Sequence, residues 1–108
     1  MENRWSHKTY QITDGPKPDS KHFQYYYVVL EGNIKKCNYC VWIVDDALSR
    51  FDHSRNFDTI ISTQKKTWRK WVMGKIDAGD FGNKVLKFER EGEKEIELSE
   101  MREHLSLA

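Results

Sequence analysis

The chain has 108 residues, 38% hydrophobic, 13% aromatic and 32% charged, with a formal net charge of +1. That length fits one domain, residues 1–108, around a single core, and the aromatic content excludes a chain that is disordered throughout. Near-neutrality excludes coating nucleic acid by overall charge, and no apolar run reaches the ~20 residues of a membrane span or follows a basic leader, so a soluble, cytoplasmic protein without membrane contact is expected.

Residues 4–13 have the composition of a first strand. Asp14-Gly15-Pro16-Lys17-Pro18-Asp19-Ser20 then breaks it with two prolines and a glycine, and a mobile loop is expected over 14–21. Residues 22–31 and 34–44 are rich in aromatic and β-branched side chains around Gly32-Asn33, which predicts a β-hairpin. With the turn placed there, Val29 faces Lys36 and Tyr25 faces Cys40. Strand alternation then gathers Tyr26, Val28, Leu30, Cys37, Tyr39, Val41 and Ile43 on one face, expected to be core. Phe23, Tyr25, Tyr27, Val29 and Trp42 gather on the other, mixed with Lys36, Asn38 and Cys40.

Asp45 or Asp46 is expected to cap a short helix containing Leu48 and Phe51. A long amphipathic helix follows. At 100° per residue, Phe57, Ile60, Ile61, Gln64, Trp68, Trp71 and Val72 share one arc, while Lys65, Lys66, Arg69 and Lys70 share the opposite one. Both tryptophans should therefore face the core. Glycines within residues 77–83 end the helix, residues 85–90 and 94–98 form a second hairpin around Gly92, and Leu86, Phe88, Ile96 and Leu98 are expected on one of its faces. Ser99 is expected to cap a short C-terminal helix. The predicted class is α+β: an antiparallel sheet of about four or five strands, two hairpins plus the N-terminal strand, packed against the long helix.

Charge is unevenly placed along this order. Residues 59–76 carry five cations and no acid, whereas residues 77–108 carry nine acids against five cations. The basic arc of Lys65, Lys66, Arg69 and Lys70 is the leading candidate surface. Clustered cations neutralise phosphates or meet an acidic protein, and no acid on the same helix stands at the right spacing to pair with them. The competing expectation is that Glu89, Glu91, Glu93, Glu95 and Glu97 of the second hairpin neutralise the arc.

Cys37, Cys40 and His53 match three ligands of a zinc finger at C-x2-C-x12-H, but where the fourth should stand residues 57–59 offer only Asp58, so no metal or other cofactor is predicted. A redox dithiol would need its first cysteine at a helix N-terminus, and here a strand holds it. Asp45 and Asp46 could hold magnesium, although helix capping accounts for one of them. No serine or cysteine sits in a nucleophile motif, so the chain reads as a small non-enzymatic binding or regulatory module whose partner is nucleic acid or an acidic protein. The alternative is a small-molecule-binding domain or small enzyme with an aromatic pocket on the first hairpin, formed by Phe23, Tyr25, Tyr27 and Trp42. The same face could instead form a homodimer interface.

Overall fold

The computed structural model describes the backbone of residues 3–105 and the side chains of residues 3–101. Six strands form one sheet in sequence order: β1 (Asn3–His7), β2 (Tyr10–Pro16), β3 (Phe23–Glu31), β4 (Ile34–Ile43), β5 (Lys84–Glu89) and β6 (Gly92–Glu97). A 3-10 turn, Asp45–Arg50, and helix α1, Phe57–Asp77, lie between β4 and β5, and α2, Leu98–Leu105, follows β6. The α+β class holds, but the sheet has more strands than expected and is mixed. All neighbouring strands are antiparallel except β4 and β5, which are parallel. The helix between them explains this, since a crossover returns the chain to the far end of the sheet before the next strand starts.

The extra strand comes from residues 3–16, which fold as a hairpin instead of one strand. The Lys8-Thr9 turn carries neither Gly nor Asn, and Lys8 takes φ 56°, so the usual turn signal is missing. Asp14, Gly15 and Pro16, expected in a loop, continue β2 and pair with Tyr27, Tyr26 and Tyr25. Pro16 closes the strand, as a residue without an amide hydrogen can do at a strand end.

The first-hairpin turn falls at Gly32-Asn33, with Gly32 at φ 62° and Glu31 opposite Ile34. One residue later the register shifts. Leu30 faces Lys35, but Val29 faces Cys37, so Lys36 is an extra residue in β4. This bulge turns the remainder of β4 over. Phe23, Tyr25, Tyr27 and Val29 therefore share a face with Cys37, Tyr39, Val41 and Ile43, and that face is the main core. Tyr26, Val28 and Leu30, expected in the core, are only half-buried on the opposite face.

Helix α1 covers the core face. Asn56 caps it by accepting the Thr59 amide at 3.0 Å. Ile60, Trp68 and Val72 are buried against the sheet and Phe57, Ile61 and Trp71 are half-buried, as the helical spacing predicts, and Ile76 joins the buried set. Trp68 meets Phe23 edge-on with ring centroids 5.6 Å apart, and Trp71 meets Tyr39 at 5.7 Å. Gly79 at φ 72° ends the helix, with its amide on Ile76 O and that of Asp80 on Lys75 O.

A second cluster, Cys40, Trp42, Val85 and Met101, lies on the other sheet face beneath α2. Here Ile96 faces Val85 while Leu86 and Phe88 turn toward α1, because the β5–β6 turn is Arg90-Glu91 and not centred on Gly92. Glu100 accepts the Glu97 amide at 2.7 Å and so fixes the start of α2, the role expected of Ser99. No described helix is long and apolar enough to cross a membrane.

Candidate functional site

The four cations of the predicted arc have separate fates. Lys66 and Lys70 are exposed on the back of α1, Lys65 is half-buried at its flank, and Arg69 turns down beside the sheet. Arg69 lies 4.9 Å from the Trp5 ring centroid and places Nη2 3.4 Å from Asp14 Oδ2. It thus closes a buried polar cluster that draws β1, β2, β3 and α1 together.

Asp14 is the centre of that cluster, with no exposed side-chain surface. Tyr25 Oη and Trp5 Nε1 each donate to its carboxylate at 2.6 Å, and Asn3 Nδ2 donates at 3.2 Å. A carboxylate can leave water only when charge-assisted bonds replace its hydration, and these four donors do so. Burial, reinforced by Asp14 beside it, raises the Tyr25 phenol above its ordinary range, so Tyr25 stays a donor. Neither Asp14 nor Trp5 is conspicuous in the sequence, since the Asp14-Gly15-Pro16 run reads as a turn. Only the structure shows Asp14 alternating with Ile12 on the buried side of β2; nothing in the local sequence marks it.

The acidic hairpin does not neutralise the back of α1. Glu95 pairs with Lys75 and accepts Trp71 Nε1 at 3.2 Å. Glu97 pairs with Lys84 at 2.5 Å, and Glu89 lies 3.7 Å from both Lys87 and Lys94. Partial burial disfavours the Lys75 ammonium, but its bonds to Glu95 and Asp80 outweigh that and raise its pKa. Among the described residues, Lys65, Lys66 and Lys70 have no ion-pair partner.

The predicted aromatic face is not one surface. Phe23, Tyr25 and Tyr27 lie under α1 at 1%, 1% and 0% exposure, while Trp42 is on the opposite face with the Lys87 ammonium 4.8 Å from its ring centroid. The bulge at Lys36 is the physical reason, because it reverses Trp42 relative to the tyrosines. At that exposure the three rings fill the core and offer almost no surface to a ligand or a partner chain.

Cys37 and Cys40 belong to the two different core clusters, and His53 is exposed in the loop before α1. Three positions along a strand put side chains on opposite faces, so the thiols cannot converge on a zinc ion. Burial raises the pKa of both thiols, that of Cys40 to about 12, which disfavours the thiolates needed for metal binding or redox exchange. Asp45 and Asp46 are exposed in the first turn of the 3-10 segment, where Val44 is the cap residue and makes no side-chain cap bond. Asp45 lies 3.6 Å from His22 Nδ1. No three histidines, cysteines or acids gather among the described residues in a metal-binding arrangement. A scan against protein-family models found no match, and searches of curated proteins and of solved structures each found none.

Proposed function

We propose that the protein is a small binding module whose partner, nucleic acid or an acidic protein, docks on the back of α1 through Lys66 and Lys70, with Lys65 at the flank. The observation that carries this reading is the division among the helix cations. Arg69 and Lys75 are held by Asp14, Glu95 and Asp80, whereas Lys65, Lys66 and Lys70 have no described acid to satisfy them. Arg69 leaves the contact surface and becomes part of the fold.

Unpaired exposed cations on a rigid helix attract polyanions at little reorganisation cost, since the helix is already ordered by its other face. Fluorescence anisotropy with labelled duplex DNA, single-stranded DNA, RNA and poly-glutamate at low salt tests the reading. Lys66→Ala/Lys70→Ala should abolish binding and leave stability within ~0.5 kcal/mol of wild type, because both side chains are exposed. Equal binding by the wild type and the double variant contradicts the reading.

A further inference from the structure

The exposed face of α1 has an unusual chemistry beyond its charge. Every exposed residue from Thr59 to Gly74 is Thr, Ser, Lys or Gly: Thr59, Ser62, Thr63, Lys66, Thr67, Lys70 and Gly74. Lys66, Lys70 and Gly74 follow one another at four-residue spacing and so lie along one line of the helix.

Gly74 has no internal explanation. It is exposed within α1, its φ lies outside the left-handed region that requires glycine, and a Cβ there would meet nothing within 4 Å. Glycine is the poorest helix former after proline, so the fold alone would be better served by alanine. A position that needs neither unusual backbone nor internal space is suited to close approach from outside.

Resting on the proposed function, we infer that the partner is nucleic acid, bound through its phosphodiester backbone, which runs along Lys66 and Lys70 and crosses α1 in close contact at Gly74. The surface chemistry separates this partner from an acidic protein. Protein interfaces are anchored by aromatic and aliphatic side chains in desolvated pockets, and this strip exposes none. Ser62 and Thr63 donate their hydroxyls to Thr59 O and Ile60 O, so Lys66 and Lys70 make the phosphate contacts, and such contacts carry little sequence information. Recognition here is by charge and backbone shape, with sequence preference weak.

The test measures anisotropy of labelled duplex DNA, single-stranded DNA, RNA and poly-glutamate with wild-type protein, Gly74→Ala and Gly74→Leu, alongside thermal melts. Alanine and leucine are both strong helix formers, so both variants should melt at or above the wild-type temperature. Affinity for at least one nucleic acid should fall by about threefold or more for Gly74→Ala and further for Gly74→Leu, with poly-glutamate bound at least about tenfold more weakly than that nucleic acid. The inference is overturned if Gly74→Leu binds as wild type does, or if poly-glutamate binds as tightly as every nucleic acid, while the reading of α1 as a polyanion surface survives either result. Absence of binding to all four probes overturns both.

Discussion

Asp14 accepts from Asn3, Trp5, Tyr25 and Arg69 with its carboxylate fully buried, so its truncation would leave several donors in the interior without an acceptor. Asp14→Ala should lower the unfolding free energy by about 3–5 kcal/mol in urea titration, and Asp14→Asn by less because one acceptor oxygen survives. A loss below about 1 kcal/mol for Asp14→Ala would show that the cluster does not hold β1 and α1 to the sheet. Cys40 supplies a second residue-scale test. Burial raises its folded pKa from 9.0 to about 12, so the folded state keeps a proton that the unfolded chain releases. Its contribution to stability is intact below the unfolded value and declines as pH rises from there toward about 12. Near neutral pH, iodoacetamide should label Cys40 only after unfolding, as mass spectrometry would read; rapid labelling of native protein would contradict its burial.

The elements differ in how much of each was legible in the sequence. Helix α1 was readable because Ile60, Trp68 and Val72 recur at helical spacing, and the Gly32-Asn33 turn because only a few residues tolerate positive φ. The β1–β2 turn at Lys8-Thr9 lacked that chemistry, and the parallel β4–β5 pairing is set by a long-range crossover that local patterning does not encode. The bulge had one visible sign, the consecutive exposed Lys35 and Lys36, which break the alternation of β4. Uninterrupted alternation, without the bulge, puts Trp42 on one face with Phe23, Tyr25 and Tyr27, whereas the bulge separates it from them. The bulge also predicts which deletions the sheet tolerates. Removing Lys36 leaves Lys35 opposite Leu30 and Cys37 opposite Val29, so the shortened chain should still unfold cooperatively. Removing Asn38 can be absorbed only by giving up the bulge, which puts Lys36 in the buried place of Cys37, so that variant should be the less stable of the two. The opposite ranking in circular-dichroism melts would contradict the register.

At the scale of the whole molecule, the near-neutral total conceals a division of labour. The cations of β5 and β6 and Lys75 pair with the acidic hairpin, Arg69 pairs with Asp14, and the back of α1 keeps its positive charge. The candidate surface was half legible in the sequence. The basic arc was visible in helical spacing, but the diversion of Arg69 depends on Asp14, 55 residues away. If this remaining charge binds nucleic acid as proposed, affinity for a duplex or a single strand must weaken with salt. With two or three phosphates neutralised by Lys66, Lys70 and Lys65, the logarithm of affinity should fall against the logarithm of salt with a slope of about −2 to −3 on duplex DNA, or slightly less on a single strand. For Lys66→Ala/Lys70→Ala, binding should be lost or the slope should shrink by about 2. Binding whose slope and strength are the same in both proteins would rule out Lys66 and Lys70 as the phosphate contacts.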